Sequence, residues 1–139
     1  MVELVIVVGI VCVVVSLGMP GLRGLIERLE LKGAARQIMG DLMWARAQAV
    51  SHGNKFKVVL VGDHKYQILD DDDNDGRADS GEWYEIRDIW DNYPHVRMSC
   101  TADPVFFPRG SASVGTITLT NKSGVKKVKI HLTGRVKVA

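Results

Sequence analysis

The first 22 residues, MVELVIVVGIVCVVVSLGMPGL, carry sixteen apolar side chains and a single charge, Glu3. About 20 apolar residues are enough for a helix to cross a bilayer core. Eight valines would also suit a buried strand, but the length of the run favours a helix. A secretory signal peptide would carry a basic start and a small-residue cleavage site. Here the first basic residue, Arg23, lies after the apolar run, and the helical pattern continues beyond it. The reading is a retained, single-pass membrane helix over residues 1–22. That excludes a wholly soluble chain, a multi-pass protein, a collagen-like chain and a disordered one. The whole chain is 46% hydrophobic and 24% charged, and beyond the apolar run it is ordinary globular material. Two cysteines, Cys12 and Cys100, exclude a disulfide scaffold.

Glu3 is out of place in such a run, because an ionised side chain in apolar surroundings is costly and is functional by default. Pro20 lacks an N–H and is expected to kink or locally melt the helix near its end. Glu3 and Pro20, seventeen positions apart in an apolar helix, resemble the N-terminus of type IV pilins and type II secretion pseudopilins. The mature pattern there is F-T-x-x-E, then the apolar run and that proline. Met1-Val2-Glu3-Leu4 falls on its third to sixth positions. The leader and the first two positions are not among the residues of this sequence, and the family's leader cleavage and N-methylation act there. The resemblance implies that Glu3 pairs with the N-terminal amine of a neighbouring subunit in a filament. A buried carboxylate that needs such a partner enforces register between subunits.

Residues 23–52 read as an amphipathic continuation of the same helix. Leu31, Ala35, Ile38, Leu42, Ala45 and Ala49 step by three and four and form one face for core packing. Arg36, Asp41, Arg46 and Gln48 are placed on the other faces. Gly53 and Asn54 supply the stop. After Gly53 the period changes to two, and residues 53–139 read as an antiparallel sheet domain. The expected strands cover 55–61, 64–69, 83–89, 95–99, 105–107, 115–121, 125–132 and 134–138. The fold class is α+β: a long N-terminal helix on a C-terminal antiparallel sheet domain. Phe107-Pro108-Arg109-Gly110, Gly115-Thr116-Ile117-Thr118-Leu119 and Thr133-Gly134-Arg135-Val136 resemble the GspH/FimT minor pilin domain. That resemblance implies a minor pilin or pseudopilin. Its partners would be other pilins, the inner membrane before assembly and, in a type II system, secreted protein substrates. The β-domain would be periplasmic.

Two features concern ligands. Residues 70–82 read DDDDNDGRADSGE and fit the D-x-[DN]-x-[DN]-G-x5-E calcium loop without a mismatch. Asp71, Asp73, Asp75, Asp79 and Glu82 would supply carboxylates, Arg77 its backbone carbonyl, and Gly76 the turn. Calcium is the expected cofactor, pinning a long β-connection; the alternative is a solvated acidic hairpin tip. From Pro104 to Ala139 there are seven Lys or Arg and no acid. Lys127, Lys129, Arg135 and Lys137 could grip the phosphates of DNA. Some FimT-like minor pilins bind DNA through a terminal G-R-x-R motif, which Gly134, Arg135, Val136 and Lys137 resemble. Lys137 keeps the charge of that motif without the fork of a guanidinium. The same lysines would serve as guards of an edge strand or as a salt-bridging surface within a filament.

No catalytic motif is present. Cys100 reads as an inert thiol, and Trp44, Trp83, Trp90, Phe106 and Phe107 as packing. The sequence supports three readings: a pilus or pseudopilus subunit, a DNA-binding minor pilin for natural transformation, and a calcium-stabilised, membrane-anchored domain outside any filament.

Overall fold

The computed structural model describes residues 1–139 apart from Asn74 and Gly76. Helix α1 (Val2–His52) is a single run of 51 residues, about 76 Å long at 1.5 Å per residue. It is the one helix, among the described residues, long and apolar enough to cross a membrane. It stops where expected. Gly53 takes the left-handed conformation at φ 72°, and its N–H bonds the Ala49 carbonyl. Pro20 does not melt the helix, which is unbroken through it. Proline lacks the N–H that would bond the Ser16 carbonyl and its ring crowds that carbonyl, yet the turns on either side remain helical.

Residues 1–26 are all exposed, and burial begins in earnest at Leu31. From there the expected face is buried: Leu31, Ala35, Ile38, Leu42, Ala45 and Ala49, joined by Ala34. Four alanines on this face let strands approach the helix backbone closely, and each fully buried Leu or Ile stabilises the fold by about 1.5–3 kcal/mol. Asp41, placed by the sequence on another face, is buried as well. At this packing the buried stripe is wider than a three-four step, so its flank reaches residue 41.

Among the described residues eight strands form two antiparallel sheets. The first has the order β3 (Tyr84–Asp88), β2 (Lys65–Asp70), β1 (Phe56–Val61), β5 (Val105–Phe106). The second has the order β4 (Arg97–Cys100), β6 (Gly115–Asn121), β7 (Gly124–Ile130), β8 (Val136–Val138). The expected strands are present with ends displaced by a residue or two. One such change is at Gly134, expected to open the last strand. It lies instead in a tight turn, with its N–H on the His131 carbonyl and φ at 75°.

Both sheets turn their apolar faces to the second half of α1. Phe56, Val58, Tyr66 and Ile68 come from the first, and Met98, Ile117, Leu119, Val128 and Ile130 from the second. The β6–β7 hairpin is tied to the helix by Asn121, whose Nδ2 donates to the Glu27 carbonyl at 2.6 Å. Phe106 is fully buried and Trp44 partly so, as packing residues should be. Trp83 and Trp90 pack while remaining 46% and 37% exposed, Trp83 against Trp44 of the helix with ring centroids 5.5 Å apart. Trp90 donates to the Val96 carbonyl and stacks on His64, with ring centroids 3.9 Å apart.

Candidate functional site

Three surfaces carry the residues singled out from the sequence. The first is the bare half of α1. Glu3 sits in its first turn, where a carboxylate complements the positive end of the helix dipole. Pro20 lies near the end of the exposed apolar stretch.

The second surface is the long connection between β2 and β3. Its base is closed by backbone bonds, Asp70 N–H to the Trp83 carbonyl and Asp71 N–H to the Lys55 carbonyl, both at 2.9 Å. Within it, carboxylate oxygens of Asp71, Asp73 and Glu82 lie within 4.8 Å of one another, and so do those of Asp73, Asp75 and Asp79. Asp73 belongs to both groups, so the five proposed carboxylate ligands fall into two clusters of three that overlap at Asp73. Gly76, the expected turn glycine, lies outside the described residues. Backbone N–H groups already orient the carboxylates. Glu82 accepts from Asp72 and Asp79, each at 3.1 Å. Asp73 accepts from Asp75 at 3.0 Å, and Asp75 from Arg77 at 2.6 Å. The crowding has an electrostatic signature. Asp79 is held above the usual carboxylate range, chiefly by the charge of Asp75. Asp70 is raised as well, by burial first and then by its acidic neighbours. A cluster of hard oxygen ligands suits a divalent cation.

The third surface is the solvent face of the second sheet. Lys127 and Lys129 are exposed and alternate with buried Val128 and Ile130. Lys129 stands directly opposite Lys137 in the ladder, while Thr118 and Thr116 stand opposite Lys127 and Lys129. Arg135 is exposed in the turn before β8, where its carbonyl accepts the His131 N–H. The four candidate cations therefore share one end of one sheet.

What holds that end was not legible in the sequence. Arg46, placed by the sequence off the core-packing face of the helix, reaches across to donate through Nε to the Gly110 carbonyl at 2.8 Å. Its terminal nitrogen lies 3.4 Å from the Thr133 carbonyl. A Cβ placed on Gly134 would lie 2.0 Å from that same Gly110 oxygen. The glycines of the F-P-R-G and T-G-R-V segments are thus two sides of one contact, pinned by Arg46.

A second unforeseen feature is the polar group beneath the first sheet. Asp41 accepts from the Tyr66 hydroxyl and pairs with Arg87, which also bonds Glu85 at 3.0 Å. Burial outweighs these partners and raises the Asp41 carboxyl above its ordinary value. Cys100 donates to Asp103 at 3.5 Å, and burial pushes its thiol up, away from the reactive thiolate.

A half-bare apolar helix whose second half is wrapped by antiparallel sheets is the architecture of a pilin-type subunit. The family described as type II transport protein GspH matches residues 34–134, and the chain belongs to that family. Solved structures share the fold. The minor pseudopilin EpsH from the type 2 secretion system of Vibrio cholerae superposes with a TM-score of 0.62 at 12% identity. That match covers 79% of this chain and 96% of that one. The type IV minor pilin FimU of Pseudomonas aeruginosa superposes with a TM-score of 0.64 at 17% identity, covering 83% and 92%. Among proteins of curated function, none matches the chain significantly by sequence. The family match makes this a type II transport protein of the GspH family, with a fold that a minor pseudopilin and a type IV minor pilin share.

Proposed function

We propose that the chain is anchored in the bacterial inner membrane through residues 1–22, with residues 53–139 in the periplasm. It then leaves the bilayer to join a filament. The observation that carries this is the exposure of every residue from 1 to 26 in an otherwise well-packed molecule. Such a surface is stable in lipid or against other apolar helices, and nowhere in water. Glu3 sets the register of the packed helices, and Pro20 marks the end of the segment that needs apolar surroundings. The test is co-fractionation of the chain with sheared pili or pseudopili. Glu3→Ala is expected to abolish incorporation while leaving the β-domain folded. Unchanged incorporation would favour a membrane-anchored domain outside any filament.

The acidic loop holds calcium. Asp71, Asp73, Asp75, Asp79 and Glu82 offer carboxylates and Arg77 a carbonyl, and the ion would fasten the β2–β3 connection. At a concentration a hundredfold above its Kd it would stabilise the domain by about 2.7 kcal/mol.

A second reading, DNA uptake, is favoured by the placement of Lys127, Lys129, Arg135 and Lys137 on one acid-free stretch of sheet. Each phosphate contact contributes about 0.9 to the slope of log K against log salt for duplex DNA. Binding through this face should show a slope of about 4, and each Lys→Ala should reduce it by about one. No binding at low salt would leave the face as an assembly surface.

A further inference from the structure

Between the last turns of α1 and the ends of β1 and β2 lies a cleft of about 160 Å³, lined by Trp44, Gln48, His52, Phe56, Asp70 and Trp83. Neither the filament reading nor the calcium loop uses it. It is well below the roughly 300–1,000 Å³ of pockets that hold drug-sized ligands, and closer to the bulk of one side chain. Its walls are aromatic: Trp44 and Trp83 meet with ring centroids 5.5 Å apart at 51°, and His52 leans on Phe56 at 5.9 Å. Trp83 is half exposed, so the mouth is open on the side of the β2–β3 connection.

Asp70 is the odd member of this lining. It extends the helix-facing row of β2 after Tyr66 and Ile68, opposite Phe56 in the ladder. Its Oδ1 is buried and has no hydrogen-bond partner. It belongs to neither group of converging carboxylates in the acidic loop, so the loop's metal chemistry does not account for it. No Lys or Arg lines the cleft. Trp44 already receives one cation on its ring, the Arg87 guanidinium at 5.7 Å, but that group is engaged with Asp41 and Glu85. Aromatic faces around a carboxylate with an unsatisfied oxygen form a receptor for a cation with an apolar stem. The acidic connection at the mouth, with Asp72, Asp73, Asp75 and Asp79 exposed, would draw such a group in.

We propose that this cleft takes an arginine or lysine side chain presented by a different protein, with the charged head at Asp70 and the stem lying against the wall that Trp44 and Trp83 form together. The partner is a polypeptide with an exposed basic residue, selected by charge complementarity with the acidic rim.

The experiment uses the full chain in neutral detergent micelles, in a Trp90→Phe background so that fluorescence reports Trp44 and Trp83. N-acetyl-arginine amide is titrated, with the neutral isostere N-acetyl-citrulline amide as control, in calcium and again in EDTA. The expected result is a saturable change for the arginine probe under both conditions. The citrulline probe and the Asp70→Asn variant should bind at least tenfold more weakly, and Trp83→Ala should lose the response. Near-UV circular dichroism of Asp70→Asn should match the parent, which separates lost binding from lost folding. Four results would each overturn the proposal: equal responses to the two probes, an unaffected Asp70→Asn, a response present only in EDTA, which would give Asp70 to the metal, and self-association in sedimentation that Asp70→Asn removes, which would make the occupant a second copy.

Discussion

Replacing Gly134 by alanine tests the contact that holds the C-terminal strands. The added Cβ would meet the Gly110 carbonyl oxygen at 2.0 Å and the Arg46 guanidinium at 2.6 Å from Nε. Carbon and carbonyl oxygen rest comfortably at about 3.3–3.6 Å, so roughly 1 Å or more of extra separation is required. The 2.8 Å bond from Arg46 to Gly110 lies directly in the way. Losing a bond with a charged donor costs about 1.5–3 kcal/mol. Forcing a Cβ into the left-handed region at φ 75° costs about 1–2 kcal/mol more. The variant should therefore lose about 2.5–5 kcal/mol. Gly62→Ala is the control: its φ is 81° but nothing lies within 4 Å of the new Cβ, so only the backbone cost applies. Urea unfolding of the full chain in micelles, monitored by near-UV circular dichroism, measures both. If Gly134→Ala lost no more than Gly62→Ala, the steric argument would be wrong. Arg46→Ala should be partly destabilising alone and add little on top of Gly134→Ala, because the two share one contact.

Asp41→Asn should cost about 2 kcal/mol, since it removes the ionic acceptor of Arg87 and Tyr66; an unchanged unfolding midpoint would show that the group is dispensable. In EDTA, stability should fall as pH rises from about 4. Asp41, Asp70 and Asp79 all have folded pKa values above their ordinary ones, so the native state holds more protons than the unfolded chain in that window. Saturating calcium should flatten or reverse the slope, because it favours the ionised carboxylates of the loop. A pH profile identical with and without calcium would remove the metal from that loop.

The helix and the strands are legible in the sequence because their signals are local. An apolar run of 22 residues, a three-four step of Leu and Ala, and two-residue alternation in 116–120 and 127–132 each depend only on neighbours along the chain. The calcium spacing is legible for the same reason, and its carboxylates lie in two overlapping groups of three. At Pro20 the helix does not melt, because the turns around the missing hydrogen bond are intact. Asp41 and Arg46 depart from expectation because a helical wheel gives the direction of a side chain and not what awaits it there. Asp41 finds Tyr66 and Arg87 from two strands, and Arg46 finds carbonyls 64 and 87 residues away. The sequence alone determined that this chain has an apolar helical anchor, an amphipathic continuation and a β-domain with an acidic loop and a basic end. Tertiary structure decided which glycines touch, which acid is buried, that Lys129 and Lys137 stand opposite each other, and that two tryptophans and Asp70 enclose a cleft. Those pairings join residues far apart in the chain, and only the packing of both sheets on one helix brings them together.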